Sequence, residues 1–193
     1  MRLRAAAKGP HNEAALLFLD VDGVLCCNDE QRLGDEQLAE LQRVAVAADA
    51  GVVLSTDWRR DAALRARVEA ALEALGVRCV GATPQRNAHR PLRPVEIREW
   101  LAERRELRDV PWVALDDRDL MNEIGGDLLR DRLVLVDPRV GLTARDGDEA
   151  LSILRRQRAT RRARPGMPLA RLGGRRVAGL VHSAAARVRR ACG

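Results

Sequence analysis

Residues 15–25, "ALLFLDVDGVL", decide the fold. Apolar residues run without a break from Ala15 to Leu19 and end on Asp20, Val21, Asp22 and Gly23. A short apolar run without polar alternation is what a strand buried on both faces requires. Residues i and i+2 of a strand face the same side. A strand that ends here therefore brings Asp20 and Asp22 to one pocket at the sheet edge, and Gly23 lets the chain turn away sharply. Two carboxylates in one pocket repel unless a cation lies between them or one holds a proton. The expected cation is a hard divalent ion with oxygen ligands, most simply Mg²⁺.

The same pattern recurs along the chain. "GVVLST" (51–56), "VRCVG" (77–81), "VPWVALDD" (110–117) and "RLVLVDP" (132–138) read as further strands. Helical spacing separates them. Leu38, Leu41, Ala45 and Ala48 share one face of a helix that Asp35 can cap and that runs to about Ala50. Leu64, Val68, Leu72 and Leu75 form the face of a second helix, with Gly76 as its stop. "PVEIREWLAERREL" (94–107) opens on proline, a good first-turn residue. Thr143 caps a last helix, with Asp146 as its capping-box partner. Strands alternating with helices predict parallel βαβ units: an α/β fold with a three-layer, Rossmann-like open sheet. Ligands of such sheets bind at the carboxyl ends of the strands, here just after residues 20, 55, 81 and 116. A second acid pair, Asp116–Asp117, closes another apolar strand and can complete the cation site, with Asp119 close enough to help.

Composition sets bounds. A chain of 193 residues with 46% apolar content can bury one sizeable core. One Phe, three Trp and no Tyr predict that this core is aliphatic, and argue against base stacking on aromatic platforms. The net charge of +6 is split along the chain. Twelve of the 34 basic residues lie in 155–193, which has no Asp or Glu, leaving 22 basic against 28 acidic residues before it. Such asymmetry fits coding bias first, since Lys8 is the only lysine, and next a tail suited to a polyanionic partner. Residues 155–174 read as an Arg-, Gly- and Pro-rich linker, and 175–190 as either a disordered segment or a basic amphipathic helix. The expected organisation is an N-terminal extension (1–13), a catalytic domain (14–155) and a basic tail (156–193). The four cysteines, Cys26, Cys27, Cys79 and Cys192, lack metal-site spacing and read as reduced thiols of an intracellular protein, cytoplasmic or organellar. No apolar run reaches the roughly 18–20 residues that span a membrane. His11, His89 and His182 are isolated.

These stretches match a family. "FLDVDGVL" resembles the first motif of the haloacid dehalogenase-like (HAD) superfamily, "VVLST" its second and "WVALDDRDL" its fourth. More narrowly, "STDWRR", "RPVEIREWL", "ALDDRDL" and "GLT", in that order, resemble the HAD-like domains of phage proteins and of Swiss Army Knife RNA repair proteins. The resemblance covers about residues 14–155. It implies an enzyme, a Mg²⁺-dependent phosphatase. Asp20 would be the nucleophile and form an aspartyl-phosphate. Asp22 would protonate the leaving oxygen, then deprotonate the attacking water, and its backbone carbonyl would touch the metal. Ser55, with Thr56, would hold a phosphoryl oxygen, and Asp116 and Asp117 would hold Mg²⁺ together with Asp20. The family's third motif is usually a lysine. This chain has none in that place, and Arg93 is the expected substitute, ahead of Arg90 and Arg86. Arg59 is a candidate for a second phosphate. Trp58 and Trp100 read as packing residues, and Cys26 and Cys27 as lining or filling the loop after the first motif.

The intervals between motifs leave no room for a cap domain. Capless members tend to act on large substrates, so the expected substrate is a phosphorylated macromolecule, with nucleic-acid 5′- or 3′-phosphate ends in view and the basic tail as a steering element. Two alternatives stay open: a small-molecule phosphatase (nucleotide or sugar phosphate) capped by a partner chain, and a non-catalytic module that keeps the fold.

Overall fold

A computed structural model describes residues 14–28, 31–86 and 92–163. Five strands, β1 (Ala15–Leu19), β2 (Ala50–Leu54), β3 (Cys79–Ala82), β4 (Trp112–Asp116) and β5 (Leu133–Leu135), form one sheet in the order β3-β2-β1-β4-β5. All its pairings are parallel. Four helices connect and flank them: α1 (Asp35–Ala48), α2 (Ala62–Ala74), α3 (Arg93–Glu103) and α4 (Ala144–Ala163). Short 3-10 turns at Asp57–Arg60, Arg105–Leu107, Leu120–Asn122 and Gly126–Leu129 complete the connections. The three-layer α/β sheet expected from the alternation is present, with β1 at its centre.

Alternation along β1 separates the two layers. Ala15, Leu17 and Leu19 pack with Val52, Leu54, Val113, Leu115 and Val134 under α1, α2 and α4. Leu16 and Phe18 pack on the other face with Val53, Ala114, Trp112 and the α3 residues Ile97 and Trp100. The first layer is largely aliphatic. The second is aliphatic apart from Phe18, Trp100 and Trp112, so the expectation of an aliphatic core holds except for this aromatic cluster. Phe18 meets Trp100 and Trp112 edge-on at ring separations of 5.5 and 5.4 Å, a favoured aromatic geometry. Three of the four aromatics are gathered in this one place; Trp58 lies in the first layer.

Local signals explain the helix ends. Gly34, not Asp35, is the N-cap of α1, and no side chain caps it; Asp35 and Glu36 instead place negative charge in the first turn. Gly76 (φ 67°) follows the end of α2 in the left-handed region, as expected of a stop. The Thr143–Asp146 box closes: Asp146 Oδ2 accepts from Thr143 N at 2.8 Å and from Thr143 Oγ1 at 2.6 Å. Helix α4 runs on to Ala163, past residue 155. Arg158 there donates to Ala48 O (2.6 Å) at the C-terminus of α1, where a cation is favoured. No helix of the described residues is long and apolar enough to cross a membrane. Cys26, Cys27 and Cys79 are free thiols. Cys192, the three histidines and the basic tail beyond Ala163 lie outside the described residues.

Candidate active site

Strands β1, β2 and β4 end side by side. Leu19 pairs with Leu54 on one side and with Leu115 on the other, so Asp20, Ser55 and Asp116 follow in line on three adjacent strands. The backbone ladder continues through them: Asp20 N donates to Leu115 O (3.0 Å) and Ser55 N to Leu19 O (2.8 Å). Phe18, Val53 and Ala114 belong to the layer under α3. Two residues on, Asp20, Ser55 and Asp116 share that side, and the first residue of α3, Arg93, meets them there. All four are buried.

Arg93 Nη1 donates to Asp20 Oδ2 and, at 2.6 Å, to Asp116 Oδ2. Asp20 Oδ1 accepts from Val21 N at 2.7 Å, and Asp116 Oδ1 from Arg118 N at 3.0 Å. Asp117 completes a group in which Asp20, Asp116 and Asp117 each offer an oxygen within 4.8 Å of the others. Two carboxylates thus share one guanidinium, with a third close beside them. Burial pushes Asp20 up to about 7 and Asp116 up to about 6, against the pull of Arg93 on both. The two carboxylates in turn hold Arg93 well above its ordinary value despite its burial. An all-oxygen donor set with surplus buried negative charge suits a hard divalent cation, so these residues fit Mg²⁺.

Two buried polar atoms of this site have no hydrogen-bond partner: Ser55 Oγ and Arg93 Nε. Asp22 is placed differently from Asp20. The chain leaves the sheet after Leu19, turns through Gly23, and exposes Asp22, whose Oδ1 accepts from Trp58 Nε1 at 2.8 Å. Its carboxylate is not part of the three-acid group. Asp119 is exposed and bonded to Asn122 Nδ2 at 2.6 Å.

The remaining sequence candidates divide. Thr56 is buried and its Oγ1 accepts from Trp58 N (3.3 Å), capping the 3-10 turn Asp57–Arg60. Arg59 is spread over internal acceptors: Glu96 Oε2 at 2.7 Å, Thr83 O at 3.1 Å and Thr56 O. Arg86 points its guanidinium at Glu99 on the surface, while its backbone N–H donates to Glu96 Oε1 at 3.0 Å. Arg90 lies outside the described residues. Sequence reasoning did not single out Glu96, which is fully buried and joins the turn after β2 to α3. Its signal was there: an acid beside Ile97 on the inward face of α3, which demands a buried cation.

Gly23 has a dual constraint. Its φ is 71°, and a Cβ there would lie 2.6 Å from Asp117 Cγ. Gly23→Ala is expected to cost about 1–2 kcal/mol in backbone strain and to push Asp117 out of the acid group, weakening Mg²⁺ binding. Thermal melts and calorimetric Mg²⁺ titration measure both.

The acid group also predicts a pH dependence. Asp20 and Asp116 hold protons more tightly folded than unfolded, so their contribution to stability is full below pH ~4 and is lost as pH rises through about 6 and 7. In EDTA, the apparent Tm is expected to fall from pH 5 to pH 8. Saturating Mg²⁺ is expected to shrink or reverse that fall, since the cation favours the ionised forms. A flat metal-free profile would contradict this placement of the acids.

Against known proteins, the family model described as the HAD domain in Swiss Army Knife RNA repair proteins matches residues 16–146. No curated protein and no solved structure matches the chain.

Proposed function

The chain belongs to the family of HAD domains in Swiss Army Knife RNA repair proteins, and from that premise we propose a Mg²⁺-dependent phosphohydrolase working through an aspartyl-phosphate on Asp20. The family by itself implies hydrolase chemistry of the phosphatase type. The carrying observation is the pair of unpartnered buried donors, Ser55 Oγ and Arg93 Nε, in the site that contains Asp20. Buried polar groups without partners are costly and rare. Here they are the groups a phosphoryl oxygen would satisfy.

In this reading Asp20 attacks phosphorus while Ser55 and Arg93 hold the phosphoryl oxygens. Arg93 Nη1 also aligns Asp20 and pulls it toward the ionised form against its burial. Asp22 gives its proton to the leaving oxygen as the P–O bond breaks. Water then loses a proton to Asp22 and attacks the aspartyl-phosphate, which returns Asp20 as a carboxylate and frees inorganic phosphate. Asp20, Asp116 and Asp117 would hold Mg²⁺, which offsets the charge of the incoming phosphate. Thr56 supports Ser55 from the turn.

The substrate we propose is a phosphate monoester at a nucleic-acid end. Residues 20–34 and 83–92 are the connections from β1 to α1 and from β3 to α3, and neither is long enough for an inserted cap. That favours an open site, and the family description favours RNA. The test is phosphate release from an aryl phosphate and from short RNA and DNA with 5′- or 3′-phosphates, each with Mg²⁺ and with EDTA. Release that requires Mg²⁺ and prefers oligonucleotide ends supports the proposal. Release from nucleotides or sugar phosphates alone would replace it with small-molecule chemistry. Silence on every ester, with Mg²⁺ still bound, would overturn the enzyme reading.

A further inference from the structure

Trp58 has a task that packing does not explain. It is buried in the aliphatic layer with only 3% exposure, yet its indole Nε1 donates to the exposed Asp22 at 2.8 Å. The 3-10 turn that carries Trp58 is held from both sides. Thr56 Oγ1 accepts from Trp58 N, and the next residue, Arg59, is tied to Glu96 of α3 at 2.7 Å. Asp22 itself sits in a closed turn, where Gly23 N donates to Cys26 O at 2.8 Å. Both ends of the Trp58–Asp22 bond are therefore anchored.

We propose that Trp58 is a positioning residue that holds the Asp22 carboxyl for proton transfer, with Oδ1 turned to the indole and Oδ2 left free. The inference rests on the phosphohydrolase reading above. Its physical basis is that an indole N–H can only donate. Oδ1, bonded to Trp58, keeps a lone pair toward the indole and cannot carry a proton along that line. Oδ2, left free by the indole, is then the oxygen that gives its proton to the leaving group. As the P–O bond breaks, its electron pair stays on the leaving oxygen, which takes that proton, and Asp22 becomes a carboxylate. In the second step water returns a proton to Oδ2 as its oxygen bonds to phosphorus. Without the indole, the carboxyl can rotate and present either oxygen.

The test uses Trp58→Phe, Asp22→Asn and the double variant on two esters: phenyl phosphate, whose leaving oxygen needs a proton, and 4-nitrophenyl phosphate, whose leaving oxygen hardly does. Trp58→Phe is expected to lower kcat on phenyl phosphate by about 10- to 100-fold, a part of the roughly 10²–10⁴ that a general acid supplies, and on the nitrophenyl ester by less than about 3-fold. In the Asp22→Asn background the same change is expected to do nothing further. A partly unfolded variant would lose activity equally on both esters, so the ratio reads positioning and not folding. Equal losses on an active wild type, or a loss that persists without Asp22, would sink the positioning role alone. The indole ¹⁵N–¹H signals give a check independent of activity: Asp22→Asn is expected to shift Trp58 and leave Trp100 and Trp112 in place. Unmoved signals would overturn the contact, and a shift in a protein silent on both esters would overturn the phosphohydrolase reading.

Discussion

Asp20→Asn is expected to abolish phosphate release on every ester the wild type hydrolyses, with kcat down by ~10⁴-fold or more, the scale on which a catalytic unit fails when one member is removed. An amide oxygen is a poor nucleophile, and nothing else in the described site is placed to attack in its stead. The fold should tolerate the change. Asp20 Oδ1 accepts from Val21 N and Oδ2 from Arg93 Nη1, so an amide loses one acceptor. Against that loss, the change removes a buried charge next to Asp116, which burial already pushes upward. A Tm within a few degrees of wild type, beside lost activity, would place the defect in chemistry. Residual activity above about one per cent would mean that Asp20 is not the nucleophile.

Arg93→Met is expected to lower stability by about 3–5 kcal/mol near neutral pH, the cost of leaving a buried charge without its partner, and kcat by about 10²–10³-fold. The guanidinium is buried and its Nη1 serves both Asp20 and Asp116. Without it, two carboxylates face each other in the interior. Acid or saturating Mg²⁺ should restore part of the stability, because either removes that repulsion. Arg93→Lys should recover the charge but not the planar fork that sets Nε beside Nη1, since an ammonium is a point cation. Arg86→Met is the contrast: its guanidinium is on the surface against Glu99, and a change within about 0.5 kcal/mol with unaltered kcat is expected. Denaturant melts and phosphate release decide both. Equal effects at the two arginines would remove Arg93 from the place of the family's lysine.

The two arginines show where sequence reading stops. The strands were legible because burial on both faces leaves a continuous apolar run, as in "ALLFL" and "WVALD". The acids were legible because carboxylates that close such runs cannot serve as apolar core and need a cation or a proton. Arg59 illustrates the limit. As a sequence letter it stands near the site and could reach a phosphate; in the fold its guanidinium is engaged by Glu96, Thr83 O and Thr56 O. Trp58 read as packing, which it does, but its hydrogen bond to Asp22 spans 36 positions of chain and leaves no local mark.

The sequence by itself determined the parallel α/β sheet, the strand ends as the candidate site, and the acids that gather there. Periodicity and apolar runs are local, and a residue's polarity at a strand end is visible without its neighbours. Only the tertiary structure decided which cation faces the acids, that Glu96 joins the turn after β2 to α3, and that Asp22 leans on Trp58. Those are pairings between elements distant in sequence. They depend on the side of the sheet on which α3 packs and on how its first turn meets the ends of β1 and β4. A charge finds its partner through that packing, and no spacing along the chain records it.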